Sequence, residues 1–465
     1  MNRPTQQTAV IGGGMLGMTI ALRLAQAGHR VTLLEAADQL GGLAAPWQLG
    51  SIRWDRFYHV TLLSDAHLLA LLEELKLHDQ LQWSETKTGF YTDGQWYSMS
   101  NLLEFLRFPP LRMVDKLRLG TTIFWASKIR NWQRLERVMV ADWLRRWSGQ
   151  ATFTKIWLPL LRAKLGDNYR HCSAAFIWAT IARMYAARRT GLKKEMFGYV
   201  QGGYARVIER FAEELAAHDV SVLCGVQVTS VRSGGEQTWV ESEGRQTLGF
   251  DRVVLTVPPA RVAELCPQLS PDESQRMRNI RYQGIVCASL LLPAPVSPYY
   301  VTNITEHDTP FTAIIEMTSL VSPEAFGGKT LLYLPKYLPA ESDEFLRSDE
   351  SFRDQFYAGL RRMVPSFSPE DVVAFRIARV RQVMPIPTRN YSSSVPPMQT
   401  SVPGVFAVNS SHIVNGTLNV NETVRLANDA SGIITRLTAS PQQAKTNSDR
   451  EKANDQTSCQ LVPGP

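Results

Sequence analysis

A chain of 465 residues is long enough for roughly two to three domains. With 44% hydrophobic and 20% charged residues it has the balance of a soluble globular protein, and no apolar run reaches the roughly 18 residues of a spanning helix. Five scattered cysteines, Cys172, Cys224, Cys266, Cys287 and Cys459, have no paired spacing, which argues against a disulfide framework or zinc site and fits a reducing compartment.

The first stretch to decide is "AVIGGGMLGMTIALRLAQAGHRVTLLEA", residues 9–36. Its apolar run and Ala25-Gln26-Ala27 mimic an export signal with a cleavage site. Three consecutive glycines, however, stand where such a signal needs its apolar core. Residues 9–13 read as a short buried strand, Met15 to Gly28 as a helix, and "RVTLLEA" as a second strand ending in an acid. Between strand and helix, Gly12, Gly13, Gly14, Met15, Leu16 and Gly17 form a turn of the pattern Gly-x-Gly-x-x-Gly. The first glycine of that pattern permits the tight turn, the second lets a pyrophosphate approach the backbone, and the third lets helix and strand pack closely. Glu35 is placed to accept hydrogen bonds from adenosine ribose hydroxyls. An export signal needs neither Glu35 nor the first strand, so the segment is a dinucleotide-binding turn in a protein made in the cytoplasm.

Asp65 to Leu77 carries leucines at helical spacing. Residues 101–195 are mostly helical, interrupted at "FPP" and "LGDN", and hold 19 Lys+Arg against 6 Asp+Glu. The same segment contains six of the eleven tryptophans: Trp125, Trp132, Trp143, Trp147, Trp157 and Trp178. Basic plus aromatic composition points to an anionic partner, lipid headgroups or a phosphorylated substrate, or equally to a helical subdomain with solvated cations and buried Trp. No recognised module supports nucleic acid, and none is expected. A glycine turn and helix follow at "GGYARVIERFAEELAAHDV", then "SVLCGVQVTSVR" and "WVESEG", which alternate as antiparallel strands. "FDRVVLTVPPARVAEL" is strand, proline turn and helix; residues 281–335 add strands; "SDESFRDQFYAGLRRMV" is a helix. "GVFAVN" and Asn421 to Leu437 are the final strand and helix, and the polar tail 439–465 is expected to be disordered. There is no internal repeat.

Gly41-Gly42, six residues beyond Glu35, is a pair that a nicotinamide dehydrogenase does not need. With "FGYVQGGYARVIERFAEEL", "VSVLCGVQVTSV" and "FDRVVLTVPP", the chain resembles, over nearly its whole length, the superfamily of flavin amine oxidases, protoporphyrinogen oxidases and carotenoid desaturases. The resemblance implies an α/β fold: a Rossmann-like FAD-binding domain from separated segments, 1–98, 196–275 and 396–438. A mixed α+β substrate domain with a helical part follows from 99–195 and 276–395. It implies that Gly41 and Gly42 pass close to FAD, that Val228 touches the adenine, and that Asn409, Asn421, Glu422 and Thr423 lie at the flavin. The chain departs from the family pattern at Gln39 and Leu43, where many relatives carry arginine, and at Asn409-Ser410, where Gly-Asp is usual. That variant is similar to sugar-nucleotide mutase-like flavoproteins and puts amine substrates in doubt more than FAD. Cysteines that tie the flavin covalently lie near the C-terminal flavin segment, whereas Cys459 is in the tail, so the cofactor is expected to be noncovalent.

"WDRFYHV" falls where relatives carry an Asp and a His close to the flavin ring, so Asp55, Tyr58 and His59 are its expected neighbours. His59 and His412 are the candidates for carrying a proton in turnover, each with a satisfied buried imidazole as the alternative. No metal-ligand cluster and no nucleophile elbow accompany them. The resemblance implies oxidation or desaturation, with hydride passing from a substrate carbon to flavin N5. A hydrophobic or lipid-linked substrate suits the basic-aromatic region, as does a peripheral position on the inner face of a membrane. The alternative is a redox-neutral mutase acting on a nucleotide sugar. Oligomeric state is left open.

Overall fold

The computed structural model describes residues 5–186 and 196–438; the tail predicted to be disordered lies outside the described residues. Five parallel strands form the first sheet, in the order Ser221–Leu223, Arg30–Leu34, Gln7–Ile11, Arg252–Leu255, Val405–Ala407. Alternation of side chains decides what each face buries. Val10, Leu33, Val254 and Phe406 point into a core made with the helices Met15–Gln26, Gly203–Ala217 and Val420–Thr438. Ala9, Ile11, Leu34, Val253, Leu255 and Ala407 point the other way, onto an antiparallel sheet of Val228–Gly234, Gln237–Ser242 and Leu248–Phe250. Burial on both faces explains why these strands read as apolar runs rather than alternating ones. Ser221–Leu223, grouped by sequence with the antiparallel strands, instead pairs in parallel with Arg30–Leu34.

A seven-stranded sheet forms the second body, in the order Ala374–Pro385, Tyr282–Leu292, Thr330–Pro339, Ala313–Glu316, Val301–Ile304, Thr88–Thr92, Gln95–Ser98. Its second strand, Tyr282–Leu292, is buried along its whole length. Val286, Ala288 and Leu290 pack toward the helix Asp349–Met363, while Ile285, Cys287 and Leu291 face Trp54 and Phe57. The last two strands correct the sequence reading, which placed 88–98 with the cofactor-binding segment. Thr88–Thr92 pairs in register with Val301–Ile304, and Phe90 and Tyr91 are buried on opposite sides of the sheet.

The helical part packs Phe108, Leu119, Leu144, Phe153, Leu161 and Ile177 into a core of its own. Its tryptophans divide between the two sequence readings. Trp143 and Trp157 are buried, the latter donating its Nε1–H to Ser148 Oγ, whereas Trp125 and Trp147 are exposed. The helix Met113–Lys128 turns Leu119, Thr122 and Ala126 inward. At about 100° per residue, Met113, Val114, Leu117, Thr121, Phe124, Trp125 and Lys128 share an outward arc of about 120°. The five hydrophobic members of that arc are 48–67% exposed, on a face where a surface helix ordinarily carries polar residues. Arg107, Arg112, Arg118 and Arg130, in and beside this helix along the chain, are exposed. No helix among the described residues is long and apolar enough to cross a membrane.

Candidate active site

The glycine turn is built at the C-terminal end of the parallel sheet, the edge where open α/β folds place ligands. Gly12 has φ +110°, a conformation that L side chains rarely adopt. A Cβ on Gly17 would lie 1.8 Å from the Gly12 carbonyl oxygen, so the turn closes only with glycine there. Gly41 donates to the Gly13 carbonyl at 2.8 Å, and a Cβ on Gly42 would stand 3.0 Å from Gly14 Cα. The two glycine motifs, 24 residues apart by the spacing of Gly17 and Gly41, therefore touch through their backbones. Gly14 begins the helix Met15–Gln26, whose first turn has no side-chain cap and no acid. Its leading N–H groups, Met15 and Leu16 among them, have no intrahelical acceptor and can receive a phosphate.

Glu35 lies beside this turn, its Oε2 accepting from Gly13 N at 2.5 Å and its Oε1 from Ala37 N at 2.8 Å. A carboxylate has about four acceptor positions, so capacity remains for ribose hydroxyls. Val226 N and Gly225 N donate to the carbonyls of Glu35 and Ala37, bringing buried Val228 to the same end of the sheet. Thr256, which sequence reasoning passed over, donates its hydroxyl to the carbonyls of Ile11 and Gly12 and holds the turn in place. Its position directly after the strand "VVL" was the available signal.

The C-terminal candidates separate into different tasks. Asn409 is buried and spends its side-chain oxygen on Ser411 N and Ser411 Oγ. His412 accepts from Asn409 N at its Nδ1 and, with Pro396 O as an acceptor 3.1 Å away, carries its proton on Nε2. Both ring nitrogens are thus engaged with backbone, and burial lowers the imidazole's pKa. Asn421 Oδ1 caps the helix Ala66–Glu74, accepting from His67 N and Leu68 N. Glu422 forms an ion pair with Arg425 and its N–H is taken by Asn419 Oδ1, while Thr423 N–H is taken by Asn419 O. Of the first turn, the N–H groups of Val420 and Asn421 are the ones that lie ahead of these bonds.

The segment Trp54 to Val60 holds two strongly perturbed groups, Asp55 and His59. Asp55 is 4% exposed, and its Oδ1 accepts from Tyr204 N at 2.8 Å. Burial lifts its pKa from 3.8 to about 7, against the opposing effect of that hydrogen bond. His59 Nδ1 lies 3.9 Å from Asp55 Oδ2 and has no hydrogen-bond partner. Burial lowers the His59 pKa to about 4, so the ring is neutral at neutral pH. Its ring packs on Tyr204 at 4.8 Å between centroids. Trp54, Asp55, His59, Gly203, Tyr204 and Met317 enclose a narrow space with room for about one water. Tyr58 points elsewhere, its hydroxyl 2.8 Å from that of Tyr337. Arg56 Nη2 donates to the Gly42 carbonyl and ties the whole segment to the second glycine motif.

Residues 16–422 match the family model described as "Flavin containing amine oxidoreductase". The chain belongs to the flavin-containing amine oxidoreductase family. It is 31% identical to a 15-cis-phytoene desaturase of Narcissus pseudonarcissus over 27% of this chain and 22% of that protein. The alignment therefore spans under a quarter of the length of this plant relative. A putative flavin-containing monoamine oxidase of Mycobacterium tuberculosis is 23% identical over 58% of this chain and 61% of its own. In fold, the chain superposes on a putative protoporphyrinogen oxidase from Exiguobacterium sp. 255-15 with TM-score 0.74, 17% identity, and 93% and 99% coverage of the two chains. A reduced UDP-galactopyranose mutase gives TM-score 0.71 at 14% identity, covering 94% and 95%. At such identities the likeness is one of fold, an FAD-binding Rossmann-like architecture with a second sheet.

Membership places the chain among the flavin-containing amine oxidoreductases. Two tyrosines that sequence reasoning missed complete the surroundings of this segment, one from each body. Tyr333 OH donates to the Asp55 carbonyl at 2.6 Å, and Tyr204 supplies both an N–H to Asp55 and a ring to His59. Tyr204 lies in the "GGYARVIERFAEEL" motif but its role there is set by the fold, and only the folded sheet brings Tyr333 and the strand Thr330–Pro339 against the segment 54–60.

Proposed function

We propose that the protein binds FAD noncovalently and oxidises or desaturates a hydrophobic or lipid-linked substrate at a carbon held against the flavin. The cofactor-binding body comprises segments 1–98, 196–275 and 396–438, less the strands at 88–98, and the substrate-binding body comprises 99–195 and 276–395 together with those strands. The observation that carries the reading is the glycine cradle: two backbone motifs in contact, an uncapped helix start, and Glu35 with acceptor capacity beside it. FAD, when bound, supplies the acceptor for hydride at N5.

The chain's own residues supply placement and proton handling. Asp55, with a pKa near neutrality, holds the proton, and the neutral His59 offers its unpartnered Nδ1 3.9 Å from Asp55 Oδ2. His59 is the proton carrier in this reading, with Asp55 its exchange partner. His412 is a positioning residue that fixes the loop 409–412 through its two backbone bonds. The buried aromatic wall of Trp54, Phe57 and Tyr333 excludes water from the same region. For a lipid-like substrate, the outward apolar face of the helix Met113–Lys128 is the surface that rests on an anionic bilayer, the exposed arginines near it along the chain meeting the headgroups.

The decisive experiment is an absorption spectrum of the purified protein before and after acid precipitation. The expected result is a flavin spectrum, with FAD released into the supernatant. Candidate substrates are then added anaerobically, and bleaching of the flavin identifies an oxidase or desaturase. A protein that turns over a nucleotide sugar only after reduction, consuming none of the reductant, is the mutase instead. A colourless protein that also takes up no added FAD overturns the reading.

A further inference from the structure

The strongest unassigned feature lies where three parts of the chain meet. Tyr58 comes from the segment after the glycine hairpin, Tyr337 from the strand Thr330–Pro339, and Lys164 from the helix Leu158–Leu165. The Lys164 ammonium donates to the Tyr337 hydroxyl at 2.5 Å and sits 3.9 Å from the centroid of the Tyr337 ring. The Tyr337 hydroxyl in turn shares a 2.8 Å hydrogen bond with Tyr58. One turn further along the chain, Asn168 Nδ2 donates to Gln283 Oε1 at 3.3 Å. Ile285 pairs with Tyr337 in register and Gln283 with Pro339, so strand alternation puts Gln283 and Tyr337 on one face of the sheet. Gln283 is fully buried and its Nε2 has no partner.

The hydrogen inventory of this cluster is one-sided. An ammonium has three donors and each phenol one, and the two observed bonds use only two of those five. Among the described residues no carboxylate pairs with Lys164, so its charge is met only by a phenol oxygen and the face of a ring. Cation–π contact and a phenol oxygen compensate a partly buried ammonium less completely than an anion does. Gln283 Nε2 adds two further donors at the same face. What such a cluster lacks is an acceptor carrying negative charge.

We infer that Lys164, Tyr337 and Tyr58, with Gln283 Nε2 beside them, form a binding site for an oxyanion of the substrate, a carboxylate or a phosphate. The site anchors the anionic end of the molecule. The inference rests on the flavin reading only for its meaning to catalysis; the cluster itself binds an anion with or without that chemistry.

Calorimetric titration tests it on protein first shown by absorbance to carry FAD, with benzoate and inorganic phosphate as separate probes. Saturable binding of either is expected, and the stronger one assigns carboxylate or phosphate. Lys164→Met weakens binding about tenfold or more, the scale of losing one charge-assisted hydrogen bond. Lys164→Arg, which keeps the charge, retains binding within a few fold and guards against a merely misfolded Met variant. Arg134→Met, removing an exposed charge of the same helical part, leaves binding unchanged. Absence of saturable binding by both probes overturns the inference, as does a Lys164→Met protein that retains FAD and binds as wild type. Absence of FAD is scored separately, before titration, and counts against the cofactor reading alone.

Discussion

Asp55 and His59 are an acid and a base 3.9 Å apart in an interior that favours the neutral form of each. Their pH signatures are opposite. The folded-state pKa of Asp55 is about 7 against 3.8 unfolded, so between these values the unfolded chain has released a proton that the folded chain keeps. Stability from Asp55 is therefore full below 3.8 and declines as pH rises toward 7, at up to about 1.4 kcal/mol per pH unit. For His59 the folded value is about 4 against 6.5, so its contribution improves as pH rises across that interval. Asp55→Asn keeps the acceptor for Tyr204 N and removes one titration. The stability difference between wild type and this variant, measured by urea unfolding, should fall as pH rises from about 4 to 7 and then level. A difference independent of pH would mean that Asp55 titrates as an exposed acid.

At the scale of elements, the glycine turn is the part most sensitive to a single atom. Gly17→Ala places a methyl 1.8 Å from the Gly12 carbonyl, which the helix Met15–Gln26 can avoid only by moving off the strand Gln7–Ile11. The expected outcome is loss of bound flavin on purification and a destabilisation of about 1–3 kcal/mol from overpacking. Retention of full flavin content by this variant would show that the turn is not the cradle. This element was legible in the sequence because each of its constraints is local: a strand, a turn and a helix in register, with Glu35 at a fixed distance. Ser221–Leu223 and Thr88–Thr92 were not, because a strand's own residues do not name its partner. Both pair with segments far away in sequence, Arg30–Leu34 and Val301–Ile304. Lys164 was hidden differently, as one cation among the 19 in residues 101–195, and only its contact with Tyr337 sets it apart. His412 illustrates the converse. Its residue type and position suggested chemistry, while the fold shows both nitrogens bonded to backbone.

For the whole molecule, the helix Met113–Lys128 gives an orientation. An exposed arc of Met113, Val114, Leu117, Phe124 and Trp125, with exposed arginines near it along the chain, would lie in the plane of an anionic bilayer with the rest of the protein above it. The protein should float with phosphatidylserine-containing vesicles at low salt, and the double variant Leu117→Glu/Trp125→Glu should not, while keeping its flavin. Flotation that is equal for the two proteins would place the contact elsewhere, and no flotation of either would remove the membrane from the account. Composition suggested the surface, through its excess of tryptophan and basic residues. It could not say which tryptophans are core and which are outside, because that depends on how the helices pack.

The parallel sheet also constrains when the protein can first become an enzyme during its own synthesis. Its central strands, Gln7–Ile11 and Arg252–Leu255, are separated by more than half of the chain, and its edge strand Val405–Ala407 comes near the end. The Val420 helix, which packs against the first helix through the Arg23–Asn428 hydrogen bond, emerges later still. A nascent chain on the ribosome thus presents the glycine turn long before the strands Arg252–Leu255 and Val405–Ala407 that complete the sheet around it. Where FAD binds in that cradle, its capture waits for those strands, and until then the apolar strands that flank the turn depend on other contacts or on chaperones to stay apart.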